Sequence, residues 1–442
     1  MSDTERKRAE RRVGLARLWA RAKQIVTTDP SGSDDDDHLV DEEAARVLAA
    51  NAGRLKGGLA KVAQLAAYDP GATLGGRSGA TQAARAVLGG LWDRAPAISA
   101  GAVAKVVEDD LGKAPQALFA HWDATPLASA SLGQVHGAKL ADGTDVVVKV
   151  QYPGVAEALR ADLDDGAFVR KLAGSEIGRT LDDDSVDALR EAVRGELDYR
   201  AEAASQQKFA AAWVDHKTLR FPRVIDELSS ARVLTMTRAR GKTIVETAAS
   251  GSADVRRQAA MAIFEFAWAS PIVHRLLNAD PNPGNFLVEE QADGRALVWC
   301  LDFGCTIELP EDVRDADREL WWGLLDDDSE QAAERFRMAL ARTGLLKRTD
   351  MMATNAHRDW ERLLAAPLVT HGEFHWSANH ARELAEATGR VLAAGGVTLP
   401  AKVLLLWRQR LGASAVIGML DPRAPFRRVL LDRIGTGRRA LR

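Results

Sequence analysis

Two short stretches of the chain carry residue types suited to moving phosphoryl groups. Asp280-Pro281-Asn282-Pro283-Gly284-Asn285 spaces a carboxylate and a carboxamide as Asp-x4-Asn, and Asp302-Phe303-Gly304 adds a second carboxylate followed by a glycine. Phosphoryl transfer needs a carboxylate near the attacking hydroxyl, and a carboxamide plus a second carboxylate to hold Mg2+ against the phosphates. Oxygen ligands suit Mg2+, which keeps waters and substrate phosphates in its shell. The apolar runs 285–289 and 296–301, on either side of Asp293-Gly294, predict a hairpin that returns Asp302 to the cleft of Asp280. An Asp-Phe-Gly tripeptide alone is a chance occurrence in many chains. Both motifs in this order, with that hairpin between them, are not.

A third feature is Lys149 in the apolar run Val146-Val147-Val148-Lys149-Val150. A lysine on a strand beside a nucleotide cleft can set its ammonium against the α- and β-phosphates, and it needs a carboxylate partner from a helix. The run 182–209 predicts one helix carrying two candidates, Glu196 and Glu202. At about 100° per residue they point about 120° apart, so only one of them faces Lys149. Ahead of this strand a conventional kinase carries G-x-G-x-x-G, whose backbone amides close over the phosphates. Here Ala128, Ser129, Ala130, Ser131, Leu132, Gly133 and Gln134 stand instead, with a single glycine, and side chains restrict the conformations such a loop can reach.

These residues need a frame. Residues 134–140 and 144–151 predict a hairpin across Ala141-Asp142-Gly143, and 220–228 and 232–237 two further strands. After Gly241 the pattern is largely helical, apart from the hairpin at Asp293-Gly294. A small β-rich lobe followed by a larger α-rich one is the layout of a bilobal α+β kinase-like fold. The expected division is 1–40, a basic segment and acidic linker; 41–118, a helical extension; 119–240, the small lobe; and 241–442, the large lobe with a helical tail.

The bulk composition fits. A chain of 442 residues accommodates two lobes plus appendages, and a net charge of −3 gives no reason to expect nucleic-acid binding. The two cysteines, Cys300 and Cys305, cannot staple a fold of this size, so a cytoplasmic location is expected. The most apolar run, 403–420, is interrupted by Arg408 and Arg410 and predicts a core helix, not a membrane span. Eight Lys/Arg lie between Arg6 and Lys23 beside an apolar stripe. That helix has two readings, a solvated or self-packed tail and a peripheral contact with the inner face of a membrane.

Taken together, residues 128–136, 146–154 (VVVKVQYPG), Glu196-Leu197-Asp198-Tyr199 with Glu202, 280–285 and 302–304 resemble the UbiB-type (AarF-type) atypical kinases. That family has an alanine-rich loop where others have glycines, and a helical extension with a K-x-G-Q motif. Lys61-Val62-Ala63-Gln64 is similar to that motif, with Ala63 in place of the glycine. The resemblance implies ATP and Mg2+ as ligands, Lys149 on phosphate with Glu202 as its partner, Asp280 as catalytic aspartate, and Asn285 and Asp302 on the metal. It places Lys61, with Gln64 in the same motif, near Glu196 and Asp198, where the extension covers the protein-substrate side of the cleft. It also implies a lipid or isoprenoid-quinone precursor as partner, and a role in ubiquinone-type metabolism. Asn278 stands where the family commonly has histidine.

The function expected is thus an ATP-dependent phosphotransferase or ATPase. The alternative is a non-catalytic, nucleotide-gated lipid-binding module. A conventional protein kinase is disfavoured, because Pro310-Glu311-Asp312 already starts a helix and no A-P-E follows it. Gly75-Gly76-Arg77-Ser78-Gly79 lacks the Lys-Ser/Thr ending of a phosphate loop, and His371, His375 and His380 lack a zinc spacing.

Overall fold

The structure, a computed structural model, describes residues 99–130, 132–156, 160, 183–325, 338–342, 355–393 and 401–439. Lys61, Gln64, Ser131, the basic N-terminal helix and most of the expected extension lie outside them. The described part opens with helix α1 (Ala100–Leu111), whose first turn is capped by the Ser99 hydroxyl accepting the Ala102 N–H at 3.3 Å. Gly112, at a φ of 76°, ends it as a left-handed cap. A single turn, α2 (Pro115–Leu118), leads to β1 (His121–Trp122), β2 (Ala128–Ala130), β3 (Gly133–Lys139) and β4 (Asp145–Gln151).

One alternation organises this lobe. Val146, Val148 and Val150 of β4 are fully buried in a cluster with Val103, Val106 and Val107 of α1. Each such valine is worth about 1.5–3 kcal/mol of burial, which fixes the face that β4 turns inward. Lys149 is out of phase with them, so the pleat sends it to the opposite face. Helices α3 (Asp183–Gly195) and α4 (Tyr199–Ala212) follow, then β5 (Leu219–Arg220) and β6 (Val233–Thr237). The sheet runs β1-β3-β4-β6, with β2 also paired to β3.

Two expectations are corrected here. The predicted helix 182–209 is two helices, broken at Glu196-Leu197-Asp198, where the Asp198 carboxylate accepts the Arg200 N–H at 2.9 Å and starts α4. Gly195, a poor helix former, ends the first. The predicted strand 220–228 shrinks to β5 and a 3-10 turn at Asp226–Leu228, because Pro222 cannot donate to a ladder. Moreover, β5 pairs in parallel with a strand of the other lobe.

The larger lobe comprises β7 (Lys242–Thr243), α5 (Ile244–Ser250), α6 (Ala253–Ala269), β8 (Leu276–Asn278), β9 (Phe286–Glu290), β10 (Ala296–Cys300) and β11 (Thr306–Glu308). It continues through α7 (Glu311–Leu325), α8 (Asn355–Val369), β12 (Phe374–His375), α9 (Ala378–Ala393), α10 (Ala401–Leu420), β13 (Arg423–Ala424) and α11 (Phe426–Arg439). Its main sheet has the order β5-β10-β9-β7, and two further pairs, β8–β11 and β12–β13, add strands beyond the expected hairpin. The core is aromatic: Phe264, Trp268, Trp321, Trp360, Trp376, Trp407 and Phe426 are all buried in one cluster. Helix α10 is held in it by Arg410, whose guanidinium makes two 2.5 Å bonds to Asp317 of α7 and lies 4.7 Å over the Trp321 ring. No helix among the described residues is long and apolar enough to cross a membrane. This is an α+β, bilobal, kinase-like fold.

Candidate active site

The cleft between the lobes is built from both motifs and from Lys149. Its ammonium donates to Glu202 Oε1 and Oε2 of α4 at 2.8 and 2.9 Å, and to Asp302 Oδ2 at 3.3 Å. The Tyr199 ring lies 4.9 Å beneath the same nitrogen, a cation–π contact. Tyr199 opens α4 one turn before Glu202, so the helix brings both to one side. The helix break changes the earlier geometry: Glu196 and Glu202 are not on one helix, and it is Glu202 that meets the lysine.

Burial drives the Glu202 carboxyl up to about 7, against the lowering pull of Lys149. Burial also works against the Lys149 ammonium, but Asp302 and Glu202 together outweigh it and hold the amine well above the ordinary lysine range. Lys149 thus stays cationic, in a water-poor place where its charge acts strongly on an anion.

On the far side, the Asn285 amide nitrogen donates to the Asp280 carbonyl at 3.0 Å and to its Oδ2 at 3.1 Å. That commitment of the nitrogen leaves the amide oxygen of Asn285 for a cation. Asn278 joins the two motifs: its amide donates to the Asp302 carbonyl at 2.7 Å, and its side-chain oxygen accepts the Asp280 N–H at 3.1 Å. The substitution of histidine by asparagine therefore leaves a bridge intact. Asp302 Oδ1 accepts the Gly304 N–H at 3.0 Å. Phe303 is fully buried, with Phe209 of α4 at 5.1 Å and Phe221 at 5.8 Å, and this anchor turns Asp302 back toward Lys149.

The alanine-rich stretch is a hairpin in which Ala128–Ala130 of β2 pair with residues 133–135 of β3, and Ser129 and Ala130 keep their backbone in that ladder. Gly133 is required for close approach: a Cβ there would meet the Val150 carbonyl oxygen at 2.1 Å. The same face of the sheet carries Val135, Val147 and Met236 around Lys149, which makes it apolar there. Glu196 packs against Gly304, whose added Cβ would meet the Glu196 Cγ at 3.1 Å, and Asp198 is spent on the α4 cap. Of the two, Glu196 lies beside the Asp-Phe-Gly turn. The buried Gln151 ties β4 to that break, donating to the Leu197 carbonyl at 3.1 Å.

Sequence reasoning missed three contributors. The motif Glu196-Leu197-Asp198-Tyr199 by itself gives Tyr199 no role. Gln151 lay in the resemblance without a role. Arg408 of α10, noted only as an interruption of an apolar run, places its guanidinium 3.6 Å from Asp280 Oδ1. Its signal was there: an arginine inside an otherwise apolar helix requires a buried partner.

A magnesium ion fits this donor set. No group of three or more His, Cys, Asp or Glu among the described residues could hold a metal by itself. Mg2+ asks for less, one or two carboxylates plus phosphates, and Asn285 and Asp302 offer oxygen donors beside Lys149.

Comparison with known proteins gives the same class. The model of the ABC1 atypical kinase-like domain matches residues 90–336, more than half of the chain. The protein belongs to this family of atypical kinase-like proteins, the one its motifs resemble. The atypical kinase COQ8B, mitochondrial, of Rattus norvegicus is 30% identical over 274 residues, covering 62% of this chain and 51% of the rat protein. The chain thus spans about half the length of that relative. The uncharacterized protein Rv0647c of Mycobacterium tuberculosis is 32% identical over 350 residues, covering 76% of this chain and 67% of that one. Among solved structures, Rv3197 of Mycobacterium tuberculosis, in complex with erythromycin, superposes with a TM-score of 0.59 at 28% identity, over 91% of this chain and 98% of that one.

Proposed function

We propose that the cleft binds Mg·ATP and catalyses phosphoryl chemistry, as an ATPase or as a kinase of a small or lipid acceptor. The observation that carries this is Lys149 held between Glu202 and Asp302 across the cleft from the Asp280–Asn285 pair. Both the lysine–glutamate pair and the aspartate of Asp-Phe-Gly must be in place for phosphoryl transfer. Lys149 binds phosphate oxygens, and Asn285 and Asp302 hold the metal. Mg2+ supplies charge neutralisation at the phosphates when bound. Asp280 orients a water or an acceptor hydroxyl, and the apolar roof of Val135, Val147 and Met236 receives the base.

The acceptor is not a peptide on a platform. Helix α7 begins at Glu311, soon after Gly304, and α10 is seated against the catalytic loop, which supports a small or flexible acceptor. The link to isoprenoid-quinone metabolism rests on the family resemblance, and peripheral membrane contact rests on the basic N-terminal sequence.

The test is phosphate release from Mg·ATP by the full chain, with and without liposomes carrying a quinone precursor. Asp302→Asn is expected to lose turnover with weakened Mg·ATP binding. Asp280→Asn is expected to bind nucleotide as the wild type does, yet lose turnover. Turnover unchanged in Asp280→Asn sinks the assignment of that residue. Nucleotide bound without turnover under either condition favours the second reading, a nucleotide-gated binding module. The erythromycin complex of Rv3197 lends that reading support, since that relative holds a bulky small molecule.

A further inference from the structure

The catalytic loop carries no cation of its own. Kinase loops read H-R-D, whereas this one reads Asn278-Ala279-Asp280, and residues 281–285 contain neither Lys nor Arg. Asn282 is spent locally, accepting the Gly284 N–H at 2.8 Å. The positive charge beside Asp280 comes instead from helix α10. Arg408 of α10 lies 3.6 Å from Asp280 Oδ1, with their side chains only 13% and 6% exposed.

The placement is built, not incidental. Gly412, one turn on from Arg408 and on the same face, packs so closely on the loop that a Cβ would meet Pro281 Cγ at 2.1 Å. Arg410 points the other way, about 200° around the helix, into its buried pair with Asp317. Anchoring of α10 is thus served by Arg410, the aromatic core and the Gly412 contact. Arg408 is left for Asp280: Asn285 takes one carboxylate oxygen at 3.1 Å and Arg408 stands beside the other. The carboxylate thus has a hydrogen bond on one oxygen and a guanidinium charge beside the other.

We infer that Arg408 is a positioning residue for Asp280, supplied in cis by helix α10, so that the helical tail is part of the phosphoryl-transfer site. This rests on the reading of the cleft proposed above. A guanidinium fixes a carboxylate by direction as well as charge, and displacement of a catalytic group by about 1 Å can cost about 100-fold in rate.

The test compares Arg408→Lys and Arg408→Met with the wild-type full chain. The readouts are kcat and KM for phosphate release from Mg·ATP, the Kd of a fluorescent ATP analogue, and the melting temperature. Arg408→Met is expected to lose about 10- to 100-fold in kcat, with KM and Kd within about threefold of wild type. Arg408→Lys, which restores the charge, is expected to recover a substantial part of that loss without reaching wild type. Wild-type turnover with kcat unchanged in Arg408→Met overturns the inference alone. A KM and Kd that rise together while kcat stays also overturns it, making Arg408 a nucleotide ligand. If Arg408→Met fails to fold, Arg408→Lys decides, because a wild-type kcat there shows that directional pairing is dispensable. Absence of wild-type turnover overturns the parent reading, and this one with it.

Discussion

At the scale of single residues, the site depends on one buried cation, Lys149, and two carboxylates that share it unequally. Lys149 meets Glu202 at 2.8 Å and Asp302 at 3.3 Å, but only Glu202 is deeply buried, 1% exposed against 31% for Asp302. Burial therefore raises Glu202 to about 7, while the Asp302 carboxylate remains accessible. The folded chain holds the Glu202 proton more tightly than the unfolded one between pH 4.5 and about 7. Its contribution to stability is full below that window and is lost as pH rises through it. Glu202→Gln should accordingly lose most, relative to wild type, at the acid end, and the difference between the two melting curves should shrink toward neutral pH. A difference that grows over the same range would contradict this account. Lys149, Asp280, Asn285 and Asp302 were legible in the sequence because short motifs set them and the residues between motifs are regular. Arg408 was not, because nothing local links position 408 to position 280. Only the packing of α10 brings them together.

At the scale of elements, the helix break at Glu196-Leu197-Asp198 and the seating of α10 do the positioning. The break had readable signals: Gly195 weakens a helix, and Asp198 is a favoured N-cap. The apolar periodicity continued across both and masked them. Strand β5 was obscured similarly, since Pro222 limits a strand without saying which sheet receives its remnant. For α10 the critical residue is Gly412. Helix propensity favours Gly→Ala by up to about 1 kcal/mol in a helix interior, yet a Cβ at 412 would strike Pro281, and overpacking costs about 1–3 kcal/mol. Gly435 of α11 has nothing within 4 Å of such a Cβ. Gly412→Ala should therefore lower the melting temperature and turnover, and Gly435→Ala should raise or preserve both. Equal effects at the two positions would show that α10 does not bear on the loop as described.

At the scale of the whole molecule, the large lobe is closed by buried arginines where an aromatic core cannot satisfy polar groups. Arg427 of α11 donates to the carbonyls of Leu325 and Leu368 at 2.6 and 2.8 Å, stapling the ends of α7 and α8. The Arg410–Asp317 pair locks α10 to α7 and is 1–2% exposed. Removing one partner of such a pair strands the other charge and costs about 3–5 kcal/mol, whereas replacing both by apolar groups is often neutral. Arg410→Ala should thus unfold the lobe at markedly lower denaturant, and Arg410→Met with Asp317→Leu should recover part of the loss, short of the 3.0 Å bond from the Trp321 indole N–H that Asp317→Leu also removes. Equal loss in the single and double variants would place the importance of Arg410 elsewhere, in its contact with Trp321.

The two lobes are not joined by a single connection. After α4 the chain dips into the large lobe, where Phe209 and Trp213 enter its core and β5 pairs in parallel with β10, and then climbs back to form β6 before descending for good. The polypeptide therefore crosses the cleft repeatedly, like thread through the spine of a bound book. Parting the lobes widely would therefore require β5 to peel from β10. That two-residue stitch, Leu219 and Arg220 against Val298 and Trp299, is thus a second seam between the lobes, made of backbone pairing where the other links are covalent.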